Sequence, residues 1–312
     1  MPVIQALRRC HGAKLPVLVL WLMLLPGSVL AGTESFWGAQ EFTIQKDHVR
    51  YLLLFPPHYD PHRHYELWLN LHGSPGCASH AIYQYREPAQ QREIFLLATQ
   101  ANGWSDQSYV RPDGQKDLYR AWDMRRDPAR IFAVLDEVKG KYPISGKRVA
   151  LLGFSAGCEM GWRLLAARPK AFCFFGGVAN GFKRGKPPVP EAALRLAAHH
   201  VPHFYAAGRD DGFAGPMFKT TARMLRAEGF ELKTANPAGV GHDLPPAIKT
   251  PLLAFLDEVR ARQKETKERK QDALQPKRGS RISRRLVVLA ALGVALISAA
   301  GLWAIFRRRS LR

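Results

Sequence analysis

Ser155 stands between Gly153 and Gly157 in "RVALLGFSAGCEMGWRLL", directly after four apolar residues, Val149 to Leu152. A serine hydroxyl flanked this way can be a nucleophile. G-x-S-x-G is the sequence of a tight strand-to-helix turn that lifts the hydroxyl clear of a sheet, and side chains two positions to either side would obstruct that turn. The same pattern also reads as a plain glycine turn. "KRVALLG" before it has the continuous apolar character of a buried strand, and Met160, Leu164 and Leu165 after it recur at helical spacing. Strand, turn and helix follow in the order the nucleophile reading requires.

A serine needs a base and an acid. Downstream, "HFYAAG" is followed by Arg209-Asp210-Asp211-Gly212, and "ELKTANPAG" by Val240-Gly241-His242-Asp243. Serine, then aspartate, then histidine, each just past a strand, is the order of one known triad arrangement. His242 would take the Ser155 proton and return it to the leaving group, while an aspartate holds the imidazole and stabilises its cation. Asp210 and Asp211 both stand where that acid is needed, and one of them is turn chemistry. Asp243 is too close to His242 in the chain to orient it.

The elements that must position these groups alternate. "EFTIQ" and "VRYLLLF" predict an antiparallel pair at a sheet edge, and "YELWLNL" predicts a buried strand ending at "HGSPG". A mixed segment leads to the strand "EIFLLAT". Then come a helix over "DPARIFAVLDEVKGKY", the Ser155 strand and helix, strands over "AFCFFGGVA" and "HFYAAG", a helix over "FKTTARMLRAEG", a strand "FELKTAN" and a final helix "IKTPLLAFLDEVRAR". Such alternation predicts a mostly parallel sheet with helices on both faces and the active loops at the strands' carboxyl ends.

In order and spacing, "LHGSPG", "GFSAG", "GRDD" and "GVGH" resemble the α/β-hydrolase superfamily. "AWD", the helix after it and "GKRVALLGFSAG" are similar to the group containing feruloyl esterases and polyhydroxybutyrate depolymerases. The resemblance spans roughly Glu41 to Arg262. It implies an α/β-hydrolase fold, a Ser155–His242 pair completed by an acid three residues after Gly208, which is Asp211, and no cofactor or metal. It implies an oxyanion hole from the backbone N–H groups of Ser74 and Ala156, Pro75 having none to give. It also places the usual lid insertion at Asn180 to His200, where the chain is short, so the site is expected to be open. Trp104, Tyr109, Tyr119 and Trp122 are either an aryl or sugar subsite or ordinary core. Cys77 and Cys158 are neighbours in such a fold, and a Cys77–Cys158 pair and three free thiols stay open, Cys173 being the third.

Residues 1–31 combine Arg8, Arg9 and Lys14 with "LPVLVLWLMLL" and small residues at Val29 and Ala31, the make-up of a cleaved signal peptide. Residues 32–263 form the expected hydrolase domain, and 264–285 a basic juxtamembrane linker. Residues 286–306, "LVVLAALGVALISAAGLWAIF", lack charge and are long enough to span a bilayer as a helix, followed by a basic tail at 307–312. The expectation is a cell-membrane protein whose catalytic domain is exported. The net charge of +20 invites nucleic acid, but 13 basic residues against 3 acidic ones lie beyond residue 263 and three more basic ones within 1–31. That distribution suits anionic lipid. No nucleic-acid-binding motif accompanies it, so nucleic acid is excluded as a partner. His58, His62 and His64 sit in a proline-rich connection without a completing ligand, so no metal is expected. The functional expectation is a membrane-anchored serine hydrolase acting on small-molecule or polymeric carboxylic esters. An acyltransferase with the same triad, and a non-catalytic binding protein on a hydrolase fold, remain the alternatives.

Overall fold

The computed structural model describes residues 38–44, 49–110, 114, 116–145 and 149–274. The expected signal peptide, membrane span and basic tail lie outside the described residues. Among the described residues no helix is long and apolar enough to cross a membrane.

Strands β1 (Ala39–Ile44), β2 (Val49–Leu54), β3 (Leu67–Leu71), β4 (Phe95–Thr99), β7 (Val149–Phe154), β8 (Phe172–Val178), β9 (His203–Ala206) and β10 (Leu232–Ala235) form one sheet in the order β1-β2-β4-β3-β7-β8-β9-β10. β1 with β2, and β2 with β4, are antiparallel, and every other pairing is parallel. A second, two-stranded antiparallel ribbon joins β5 (Ser108–Val110) to β6 (Lys116–Leu118). Helices α1 (Ala78–Gln91), α2 (Asp127–Lys141), α3 (Ala156–Ala167), α4 (Glu191–Ala198), α5 (Phe218–Ala227) and α6 (Pro246–Leu274) complete the described elements.

The continuous apolar strands arise because both sheet faces are covered. Alternate residues Tyr51, Leu53, Leu67, Leu69, Phe95, Leu97 and Leu151 share a core with Ile131, Leu135 and Val138 of α2 and Met160 and Leu164 of α3. The residues between them point the other way. Trp68 meets Tyr85 of α1 edge to face, and the Asn70 amide donates to the Ala81 carbonyl at 2.8 Å. On that same face Gly176 lies against both Leu152 and Leu252, the latter on α6. Each fully buried aliphatic side chain there contributes about 2 kcal/mol.

The expected strands and helices around Ser155 are present within a few residues of their predicted bounds. Three differences stand out. The mixed segment before β4 contains α1, which carries Pro88 in its interior. The span 180–200 holds α4, whose Leu194 and Ala197 are buried, with a short 3-10 turn at Lys183–Gly185. Helix α6 runs on to Leu274, so the first part of the expected linker is helical. Its residues are charged but are good helix formers, and Glu265 pairs with Arg269 one turn on, at 3.2 Å. The described chain divides after Leu252 into two units, the first holding the whole sheet and the second continuing α6 from Leu253. None of Cys77, Cys158 and Cys173 forms a disulfide.

Candidate active site

The turn at Ser155 is built by its neighbours. The residue sits at φ 53° and ψ −121°, a backbone conformation that costs a non-glycine residue about 1–3 kcal/mol. What holds it there is a ring of backbone bonds. Ser155 N–H donates to Val178 O at 2.8 Å, and Ser155 O accepts from Cys158 N–H at 2.9 Å and from the Asn180 amide at 2.9 Å. A side chain at Gly153 would strike the Gly157 carbonyl, and one at Gly157 would strike the Leu71 carbonyl at the end of β3. Both glycines are therefore dictated by close packing.

The acid and the base arrive on two loops that are packed backbone to backbone. Gly208 lies so close to the carbonyls of Val240 and Gly241 that no side chain fits between them. Arg209 N–H donates to Pro237 O at 2.9 Å and Asp210 N–H to Val240 O at 3.0 Å. The two adjacent aspartates separate here. Asp210 is exposed, and its carboxylate accepts the Gly239 N–H at 2.9 Å. Asp211 is only 1% exposed; its Oδ1 accepts Phe213 and Ala214 N–H, each at 2.9 Å, and its Oδ2 lies 2.8 Å from His242 Nδ1.

His242 Nε2 is 2.9 Å from Ser155 Oγ. With Nδ1–H donating to Asp211, Nε2 is free to accept the serine hydroxyl proton. The ring stands at the surface between Phe154 and Phe213, with centroids 5.1 and 6.0 Å away. Phe213 is 43% exposed. Asp243 turns away from the imidazole to accept Leu244 N–H at 2.7 Å, and its charge acts on His80 and Lys249.

The "HGSPG" loop lies beside the serine. A Cβ on Gly73 would fall 3.4 Å from that of Ser155, and Ser74 follows on the exposed side. Ala156 opens α3, so its N–H belongs to the first turn, where helical N–H groups lack an intrahelical acceptor. Ser74 thus follows a glycine that touches Ser155, and Ala156 follows Ser155 directly at the start of α3.

Sequence reasoning missed what holds that loop. His72 is buried, its Nε2 accepts Ala101 N–H at 3.2 Å, and its Nδ1 therefore carries the hydrogen that meets Gly73 O at 2.6 Å. Burial lowers its pKa to about 4, so the ring is neutral near pH 7. Trp122 stacks on it at 4.4 Å and donates its indole N–H to His72 O at 2.8 Å. Trp122 is therefore a support for the loop and no part of an open subsite. Trp104 is 78% exposed, Tyr119 is half-buried, and the side chain of Tyr109 is outside the described set. His58, His62 and His64 are exposed, and no group of three metal-ligating side chains gathers among the described residues.

No protein-family model matches the sequence, and no curated protein matches it. Solved structures match in fold. Esterase PE8 aligns at 17% identity with TM-score 0.51, over 66% of this chain and 97% of that one. A CE1 ferulic acid esterase from Anaeromyces mucronatus, in complex with ferulic acid, aligns at 14% identity with TM-score 0.50, over 72% and 90%. Against a thermostable esterase, at 16% identity and TM-score 0.48, the chain spans 54% of that protein's length. At these identities the likeness is one of fold: the chain has the α/β-hydrolase fold, with esterases and feruloyl esterases among its structural neighbours.

Proposed function

We propose that the protein is a serine hydrolase that cleaves carboxylic esters through an acyl-enzyme. The observation that carries this reading is the hydrogen-bonded line Asp211 Oδ2, His242 Nδ1, His242 Nε2, Ser155 Oγ, with steps of 2.8 and 2.9 Å. His242 removes the proton as Ser155 Oγ attacks the ester carbonyl, and the imidazolium so formed is stabilised by the buried Asp211 carboxylate. The negative charge that develops on the carbonyl oxygen is met by the N–H groups of Ser74 and Ala156. Collapse of the tetrahedral intermediate expels the alkoxide, which takes the proton from His242. Water then repeats the sequence and releases the acid.

The esterase and ferulic acid esterase neighbours support an ester as substrate. The sequence at 1–31 and 286–306 supports an exported enzyme held in the cell membrane by its C-terminal segment. The test is a fluorophosphonate probe applied to membrane fractions. The wild type is expected to label at Ser155 and hydrolyse short-chain esters, and Ser155→Ala to do neither. Stoichiometric labelling of the alanine variant would remove Ser155 from the role. Labelling of a domain that is released without detergent would remove the anchor.

A further inference from the structure

A cavity of about 360 Å³ lies apart from the triad, lined by Arg50, Lys116, Arg120 and Arg130 with Gln100 and Asn102 and by no acidic residue. Arg50 is the second residue of β2, and Gln100 and Asn102 follow β4. The antiparallel register of β2 and β4 sets them at the carboxyl end of β4, the edge of the sheet that carries Ser155. β4 is two strands from β7, about 10 Å across the sheet.

The charges around the cavity fall into two sets. Arg50 binds Glu41 through two bonds of 2.6 and 2.7 Å and Asp117 at 3.0 Å, and Asp117 also accepts the Ser79 hydroxyl. Arg130 lies 3.8 Å from Asp127, whose carboxylate also accepts N–H groups of Asp123 and Asn102. Lys116 and Arg120 make no ion pair among the described residues. Arg50 and Arg130 are thus compensated by carboxylates, and the Lys116 ammonium and the Arg120 guanidinium are the charges at the cavity that an oxyanion would complement. Planar guanidinium forks suit phosphate oxygens in particular.

The same wall holds the candidate oxyanion loop. Arg120 N–H donates to Gly76 O at 2.7 Å, Gly76 N–H returns a bond to Arg120 O at 3.1 Å, and Gln100 Nε2 reaches Gly76 O at 3.4 Å. Ala101, next to Gln100, donates its N–H to His72. We propose that this cavity binds a phosphate-class oxyanion, and that its occupancy is felt at Ser155 through the loop His72–Gly76. The coupling rests on the esterase reading above, whereas the binding does not.

The test titrates the full-length chain in detergent with inorganic pyrophosphate by calorimetry, and follows hydrolysis of a neutral short-chain ester alongside. Saturable one-to-one binding is expected, weakening as salt rises. Arg120→Gln and Lys116→Gln should each weaken it at least tenfold. Lys170→Gln, in the turn after α3, should bind as the wild type does, and so should Ser155→Ala. Ester turnover should change at least twofold, with its midpoint at the binding midpoint. Lys116 is exposed, so its variant carries the test if Arg120→Gln fails to fold by circular dichroism. Displacement by phosphatidic acid vesicles but not phosphatidylcholine vesicles would assign the group to a lipid, and its absence to a soluble phosphate. Absence of saturable binding, or equal weakening by Lys170→Gln, overturns the site. Binding to an active enzyme with unchanged turnover overturns the coupling, and binding to an enzyme inactive on all esters overturns the esterase reading while keeping the site.

Discussion

His72 and His242 stand at the same edge of one sheet, past β3 and past β10, and their surroundings are opposite. The His242 side chain is 40% exposed and touches a carboxylate on one nitrogen and a hydroxyl on the other. His72 is 1% exposed, lies under a stacked indole, and meets only backbone groups. An imidazole backed by a buried carboxylate can accept a proton. One with a backbone acceptor on one side and a backbone donor on the other has its tautomer fixed, and burial then keeps it neutral. The first ring is suited to moving a proton and the second to fixing a loop, although the residue type is the same.

The contrast breaks most sharply at the proton-accepting ring itself. His242→Ala is expected to lower kcat for a short-chain ester by about 10⁴-fold or more, with folding unchanged by circular dichroism. Next in size is the carboxylate behind it. Asp211→Asn should cost about 10³–10⁴-fold in kcat, whereas Asp210→Asn should stay within about tenfold, because Asp210 only ties Gly239 to its own loop. Reversed ranks in that pair would move the acid to Asp210.

At the fixed ring the effect should be smaller and of another kind. His72→Asn is expected to lower kcat by about 10–100-fold through misplacement of the Ser74 donor, with the acid limb of the pH–rate profile where the wild type has it. A displaced limb would mean that His72 titrates during turnover.

Burial of neutral histidines also gives the fold a pH dependence. His72 and His203 both have pKa values lowered to about 4 by burial, against 6.5 for an ordinary histidine. Between those values the unfolded chain binds protons that the folded one refuses. Stability is therefore complete above about pH 6.5 and is lost as pH falls toward 4, by an amount on the order of a few kcal/mol for each ring. Urea titrations at pH 7 and pH 5 should show the loss. His203→Leu should lessen it, since His203 Nε2 is buried without a hydrogen-bond partner among the described residues and its ring stacks on Phe175 at 4.5 Å. An unchanged difference between the two pH values would exclude His203 as a source. The smallest expected effect is that of Trp122→Phe, which keeps a ring over His72 but removes one N–H bond, worth about 1 kcal/mol in the same assay.

The same contrast explains what the sequence reveals. Ser155 and Asp211 are legible because each follows an apolar strand, which a buried parallel sheet writes as an apolar run, and His242 because it follows Gly239 and Gly241 on the loop after β10. The choice between Asp210 and Asp211 was not legible from turn chemistry, since both suit the turn, and it came from the family resemblance. Nothing in "LHGSPG" or "AWD" tells that His72 and Trp122 would stack, because that contact joins residues fifty positions apart. Helix α1 is hidden by Pro88 and a polar run of glutamines and arginines, and β5 and β6 by being only three residues each. The charged start of the expected linker reads from composition as a basic juxtamembrane segment, yet its Glu265–Arg269 spacing is helical.

The two borders of the sheet bear on how the protein behaves at high concentration. β10 is four residues long and half-buried, with Lys233 in its middle, and β1 carries Glu41 bound to Arg50. An outside strand seeking to extend the sheet at β10 would find a short template and would have to bring its backbone up to a lysine. At β1 it would have to approach a charged pair. Edge-to-edge aggregation is thus opposed by the composition of the borders themselves, and Lys233→Val is the change that would most invite it.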